Sequence, residues 1–375
     1  KVIKKLTKHK IVKICWLSWA NKTTLARRVC ISLWWERDTL YFNSQIYKNA
    51  RIKNIAGLKK LLSYASQKKA VDTTSILVFE SVEDITDMKE LITELFATKK
   101  YKIILIGTLK HLQWLPTVTM PVDSILTKEW FDIYHDIEKY STLWSLYNFD
   151  YTWDIVSQIV IRDALKDSIV LQDIIMTYWV KDIFLYQSMM SFLSRNIGKY
   201  LSLRDITKLL NEWNLKTSVI TITDYVNNST DCWLIYKVKR FDFKKDIVMT
   251  SKGSYYFWDM WLLSSFKRDT TTHLRRKIEN LLFLELIAKG YEVYTWVNGK
   301  FEFSFYTKKL WKKMCIQVTK QTDKKELKKE INKLWKIDLK ADRFLVVGSL
   351  DVLWLRKKDY DTVQVIEYID MLKLI

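Results

Sequence analysis

Short apolar runs and longer amphipathic stretches alternate along the first third of the chain. Residues 11–15 (Ile-Val-Lys-Ile-Cys) read as a short buried strand, and residues 23–29 open a helix with Leu25 and Val29 on one face. Residues 39–43 form a second strand candidate, and 58–66 an amphipathic helix. The run 75–79 (Ser-Ile-Leu-Val-Phe) is apolar almost throughout, the mark of a strand buried on both faces of a parallel sheet. A helix over 87–98, a buried strand over 101–106 and a last strand at 124–127 complete the series. Strands alternating with helices predict a doubly wound α/β domain.

After about residue 130 the period turns helical. Three helices are expected at 181–195, 202–212 and 217–226, with Ser202 and Asp205 spaced as a capping box. A strand-like basic run at 233–241 follows. Three helices and then a basic ribbon outline a winged helix. A strongly amphipathic helix at 274–289 stops at Gly290, a good residue for the position after a helix cap. Strands at 291–294, 300–305 and 314–318, a Lys/Glu-rich helix at 324–335 and a strand at 344–347 make a second α/β region. The expected division is 1–135, 136–250 and 251–375, since 375 residues exceed one ordinary core.

Composition changes this picture in two places. Net charge is +20, which favours polyanions such as DNA or RNA; equally, the lysines are spread along the chain, as an AT-rich genome alone would produce. The second place is the pairing of 7 glycines with 17 tryptophans, against about 26 glycines expected from average usage. Trp16 opens a loop of phosphate-binding type. Trp296 precedes Asn298-Gly299, Trp311 lies between two strand-like runs, and Trp34-Trp35 precedes a charged turn. Glycine suits such places and an indole does not. Some bacterial lineages read UGA as glycine, and translating UGA as tryptophan would produce this exchange. A protein that uses its many indoles in cores or for stacking is the other reading.

The remaining composition excludes more than it assigns. No window approaches the ~18 uninterrupted apolar residues of a membrane span. Lys1 to Lys13 has no apolar stretch behind it, so no secretory signal is expected. The four cysteines are far apart and suggest neither a disulfide framework nor a zinc site. A cytoplasmic setting follows as the expectation. The histidines form no pair at ligand or triad spacing.

Two constellations carry candidate chemistry. The first is Trp16-Leu-Ser-Trp-Ala-Asn21-Lys22-Thr23-Thr24, set between a strand and a helix. A P-loop needs G-x-x-x-x-G-K-[ST] there: backbone N–H groups close around phosphates, the Lys neutralises them and the hydroxyl holds Mg²⁺. Lys22 and Thr23 are in register. Trp16 and Asn21 stand at the two glycine positions, and Asn is the side chain that best tolerates the left-handed region. An ordinary βα turn is the alternative. The second constellation is the strand ending in Glu80. An acid there can serve the Mg²⁺ shell, but Ser81 occupies the place of a water-activating Glu. Thr108, at the tip of the next strand, is placed to sense a γ-phosphate.

These pieces, with 254–263, 278–293, Phe301-Glu-Phe-Ser-Phe and Cys315-Ile-Gln-Val, resemble bacterial AAA-type ATPases that carry a DUF4143 C-terminal region. In that family the stretch at Asp259-Met-Trp-Leu reads Asp-x-Gly-Leu, which puts Trp261 at a glycine. The resemblance implies an AAA-type core, a winged helix and a restriction-endonuclease-like C-terminal domain, with ATP and Mg²⁺ as ligands. It matches Glu279 to the nuclease helix acid, puts Ser304 where the family has an Asp, and makes Gln317 the start of the Gln-x-polar strand. With Ser304 and Thr319 in place of Asp and Lys, that nuclease site is expected to be dismantled. The winged helix offers Lys216, Lys239 and Arg240 to DNA, or serves as a protein-interaction module. The expected function is an ATP-binding protein with weak Mg²⁺-dependent ATPase activity acting as a conformational switch. The alternative is a non-enzymatic nucleic-acid-binding or interaction scaffold derived from one.

Overall fold

The structure is a computed structural model. It describes residues 11–15, 39–43, 54–68, 76–80, 88–97, 102–107, 118–120, 160, 163–164, 166–242, 247–266, 274–298, 301–319, 324–335, 341–347 and 363–375. The chain divides into two compact units, Lys1–Val122 and Asp123–Ile375.

The first unit is built on five parallel strands: β1 (Ile11–Cys15), β2 (Thr39–Asn43), β3 (Ile76–Glu80), β4 (Lys102–Gly107) and β5 (Val118–Met120). Their order across the sheet is β2-β3-β4-β1-β5. Helix α1 (Ile55–Lys68) joins β2 to β3, and α2 (Met88–Ala97) joins β3 to β4. Alternation along the strands sorts side chains to two faces. Phe42, Leu77, Phe79, Ile103 and Leu105 pack with Leu58 of α1 and Met88, Leu91 and Ile92 of α2. Ile76, Val78, Ile104 and Ile106 point to the opposite face and are buried as well. Burial on both faces explains the uninterrupted apolar runs. The fifth strand is Val118–Met120; the expected strand at 124–127 lies outside the described residues.

In the second unit a helical segment, Val170–Tyr178, precedes α3 (Ile183–Arg195), which Asp182 caps by accepting Leu185 N–H. Strand β6 (Tyr200–Ser202) leads into α4 (Leu203–Glu212) through a complete Ser202/Asp205 capping box, and α5 (Val219–Asp231) starts at the Ser218 cap. Strands β7 (Ile235–Asp242) and β8 (Ile247–Phe257) form an antiparallel hairpin. Then come α6 (Met260–Phe266), α7 (Leu274–Ala288), β9 (Glu292–Asn298), β10 (Phe301–Lys309), β11 (Lys312–Thr319), α8 (Lys324–Trp335), β12 (Asp342–Val347), β13 (Gln364–Glu367) and α9 (Tyr368–Leu374). One eight-stranded sheet carries all of these strands, in the order β13-β12-β11-β10-β9-β7-β8-β6. A short parallel contact, Arg240↔Thr295 and Phe241↔Trp296, joins the β7–β8 ribbon to the strands behind α7. Segments read from sequence as two separate domains thus share one sheet. Strand β8 has no counterpart among the sequence expectations, because its Ser-Lys-Gly-Ser centre breaks the apolar pattern. Gly253 sits there, with Val238 O so near that a Cβ would lie 2.8 Å from it.

Among the described residues the tryptophans occupy different settings. Trp296 is not in a turn: it lies in β9, 1% exposed, stacked on Phe303 at 3.9 Å between ring centres. It is a core residue, and its place is not a glycine place. Trp311 does sit in the two-residue turn between β10 and β11, but the left-handed residue there is Leu310, at φ 53°. Trp261 falls within α6, and Trp16, Trp34 and Trp35 lie outside the described residues. Two others hold glycine-type backbone. Trp179 (φ 54°) and Trp233 (φ 61°) each follow a helix end in the left-handed region. Val180 N–H bonds back to Ile175 O at 3.2 Å, and Leu234 N–H to Ser229 O at 2.9 Å. These are the six-to-one bonds of Schellman ends, where glycine is usual. Asn214 and Gly290 close α4 and α7 in the same way.

Candidate functional site

Strand register brings the C-terminal ends of the first sheet into line. Asn43 pairs with Glu80, Glu80 with Ile106, and Gly107 with Cys15. In open α/β sheets, ligands sit beyond the carboxyl ends of strands, where neighbouring connections depart in opposite directions. Here β1 connects leftward to β2, past β4 and β3, whereas β4 connects rightward to β5, past β1. The switch point is therefore between β1 and β4. Glu80 ends the next strand along, about 10 Å from the end of β1 at two strand spacings.

Glu80 is 2% exposed. Tyr41 Oη donates a hydrogen bond to its Oε2, and Asn43 Nδ2 donates to Tyr41 Oη at 3.3 Å. Tyr41 and Asn43 alternate on β2, so both face the same side of the sheet as Glu80, away from α1 and α2. Sequence reasoning found Glu80 and missed Tyr41, which bonds to it, and Asn43, which bonds to Tyr41. The signal was the period-two spacing of polar residues in an otherwise apolar strand, Thr-Leu-Tyr-Phe-Asn. A buried carboxylate at a strand end is a ligand type suited to Mg²⁺, a hard ion that commonly takes one or two carboxylates and completes its shell with water and phosphate oxygens. Trp16, Asn21, Lys22, Thr23, Thr24 and Thr108 lie outside the described residues.

The nuclease-type positions separate into two clusters. Ser304 and Gln317 do come together. Gln317 Oε1 accepts Ser304 N–H at 3.0 Å, Ser304 Oγ accepts Val318 N–H at 3.1 Å, and Gln317 Nε2 donates to Glu330 at 3.2 Å. The reason is local. The β9–β10 register slips between Phe303 and Tyr306, and the β10–β11 pairing begins at Phe305, so side chains take over hydrogen bonding around Ser304. Glu279, on α7, is engaged elsewhere. Its Oε1 accepts Tyr256 O–H at 2.9 Å, and its Oε2 lies 3.4 Å from Arg276 Nη1 and 4.0 Å from Arg275 Nε. Burial, then the charge of Glu279, push the Tyr256 phenol well above its ordinary range, so it stays a donor. Gly198 approaches so closely that a Cβ would meet Glu279 Oε1 at 2.3 Å. Among the described residues no group of three or more His, Cys, Asp or Glu is arranged to hold a metal. An acid already matched by guanidinium groups has little to offer a cation.

Around α4 and α5, Lys216 is exposed in the interhelical turn and Lys239 is exposed on β7; Arg240 is half-buried, its guanidinium 5.6 Å from the Tyr200 ring centre. Helix α5 (Val-Ile-Thr-Ile-Thr-Asp-Tyr-Val-Asn-Asn-Ser-Thr-Asp) contains no Lys or Arg. Its outward residues include Ile220, 74% exposed, with Asp224 and Asn227. No described helix is long and apolar enough to cross a membrane.

No family model matches the chain. An uncharacterized protein of Haemophilus influenzae is 26% identical over 212 residues, 56% of this chain and 52% of that protein. An uncharacterized protein of Methanocaldococcus jannaschii is 28% identical over 133 residues, 35% of this chain and 29% of that protein. The chain thus spans about half or less of the length of these curated relatives. Among solved structures, the Walker-type ATPase of Pyrococcus abyssi is similar with a TM-score of 0.46 and 12% identity, over 71% of this chain and 93% of that one. The Aeropyrum pernix ORC1 protein in complex with DNA is similar with a TM-score of 0.26 and 11% identity, over 69% of this chain and 86% of that one.

Proposed function

We propose that the first unit binds ATP with Mg²⁺ at the carboxyl edge of its parallel sheet and works as a conformational switch with weak ATPase activity. The observation that carries this reading is Glu80, a buried carboxylate at the end of β3, one strand from the β4–β1 switch point. A crossover from β1 to β2 runs opposite in direction to those through α1 and α2. Lys22 and Thr23 belong to that connection. In this reading Lys22 pairs with the β- and γ-phosphates, and Thr23 and Glu80 hold Mg²⁺. Trp16, Asn21 and Thr24 border the phosphate loop, and Thr108 senses the γ-phosphate. Bound Mg²⁺ would supply charge neutralisation at the phosphates. Ser81 offers no carboxylate to activate water, so hydrolysis is slow and occupancy is the signal. ATP with Mg²⁺ should raise the melting temperature, and Lys22→Ala should abolish the rise. No shift in the parent protein would remove the reading.

A second reading concerns α3 to β8, whose three helices and ribbon have the outline of a winged helix. A groove-reading helix normally brings cations to phosphates, and α5 brings none. Its exposed Ile220 favours a protein partner over DNA. Lys216, Lys239 and Arg240 remain the candidate DNA contacts. Duplex binding that falls steeply with salt, and is lost when all three become Ala, would reverse the preference.

A further inference from the structure

We infer that Phe241, Tyr294 and Tyr306 form an aromatic cage for an ammonium cation, filled by the chain's own Lys308, and that the filled cage latches the β7–β8 ribbon to β9 and β10. Register brings the four side chains to one face. Tyr294 pairs with Tyr306 across β9 and β10, and Lys308 lies two residues beyond Tyr306. Phe241 of β7 pairs with Trp296, two residues beyond Tyr294. The ring centre of Phe241 is 5.6 Å from that of Tyr294 and 5.2 Å from that of Tyr306. Lys308 Nζ stands 4.0 Å from the ring centre of Phe241, 5.4 Å from that of Tyr306 and 5.9 Å from that of Tyr294. All three lie within the ~6 Å over which a ring quadrupole attracts a cation. Neighbouring charges do not account for this placement. Glu292 is directly opposite Lys308 on β9, where an ion pair is the simple expectation, and Lys313 is directly opposite on β11, where a like charge repels. Among the described residues no ion pair joins Lys308 to Glu292; that carboxylate accepts the Tyr294 O–H at 3.1 Å. The cage's place in the fold gives it a consequence. Glu279 and Asn280 of α7 fasten the end of the ribbon where β7 begins and β8 finishes, by bonds to Tyr256 and Phe257. At the other end β7 meets β9 in two register pairs, Arg240↔Thr295 and Phe241↔Trp296. Phe241 is both a residue of that ladder and a wall of the cage, so one ammonium draws β7, β9 and β10 to a single point.

The test is amide hydrogen exchange of the whole chain, read at Ile235–Asp242 and Glu292–Asn298. Lys308→Met nearly keeps the length and removes the charge. It should speed exchange in both segments by about tenfold, within the range of a desolvated cation–π site. Lys308→Arg keeps the cation and should exchange as the parent does, and Glu292→Gln should change little. Lys308→Ala empties the cage. Its exchange should slow in tetramethylammonium chloride and not in sodium chloride of equal concentration, while the parent responds to neither. Should Lys308→Met not fold, Tyr294→Leu removes one wall, and a rise of about threefold is expected. Unchanged exchange in Lys308→Met, or in Tyr294→Leu in its stead, overturns the inference. An equal rise in Lys308→Met and Lys308→Arg would mark a packing role and overturn it too. A rise in Glu292→Gln as large as in Lys308→Met would put an ion pair in its place, and a Lys308→Ala variant indifferent to tetramethylammonium would show that the rings make no cage.

Discussion

Two buried glutamates, one in each unit, show how surroundings decide what an acid can do. Glu80 ends a parallel strand and takes its hydrogen bond from the neutral phenol of Tyr41. Glu279 lies in a helix and meets Tyr256 together with Arg275 and Arg276. Both are almost fully enclosed, at 2% and 1% exposure. Enclosure alone therefore does not separate them. The difference lies in setting: guanidinium groups offset the carboxylate of Glu279 and turn it into a fastening between α7 and β8, while Glu80 stands at the carboxyl end of a parallel strand with the Tyr41 phenol bonded to it. A motif match in sequence sees two acids and misses this distinction.

The comparison can be broken most decisively at Glu279. Glu279→Ala removes one partner of a buried ionic cluster and leaves Tyr256 and two arginines unmatched. Stability should fall by about 3 kcal/mol in denaturant titration, the low end for such a loss because both arginines are part-exposed. The Mg²⁺-dependent nucleotide response should be unchanged. Loss of that response with unchanged stability would exchange the roles assigned to the two acids.

A smaller effect sharpens the view that the second unit's special positions serve stability. Trp179 holds a left-handed backbone and is 85% exposed, so its indole returns little for the strain. Trp179→Gly should stabilise by about 1 kcal/mol, read as a rise in melting temperature. Trp233 has the same backbone, but its ring lies 4.6 Å from that of Trp258. Relief of strain and loss of that contact should nearly cancel in Trp233→Gly. A destabilising Trp179→Gly would count against the exchange of glycine for tryptophan, as would UGG codons at Trp179 and Trp233.

Much of the local structure was legible in the chain. Strands β2, β3 and β4, helix α8 and the ends of α4 and α7 lie within a few residues of where apolar period, the capping box and Gly290 put them. The candidate site was legible only as separate residues. Glu80 could be named from the end of an apolar run, but Tyr41 is 39 positions away and carries no motif. The tryptophans show the same limit from the other side. Their number was abnormal on inspection, yet Trp296 proved to be core, and among the described residues Trp179 and Trp233 were the tryptophans in glycine-type backbone.

By itself, then, the sequence determined which segments become strands and helices, since those choices depend on side-chain period, caps and breakers within a few residues. It also determined that the first unit alternates strand and helix. Only the tertiary structure decided that β1 lies between β4 and β5, which creates the switch point, and that β7 joins β9 to make one eight-stranded sheet. It alone decided that Glu80 faces a phenol and Glu279 two arginines. Strand order and charge pairing depend on contacts between residues remote in the chain, whose free energies appear only when the ladder closes and water leaves.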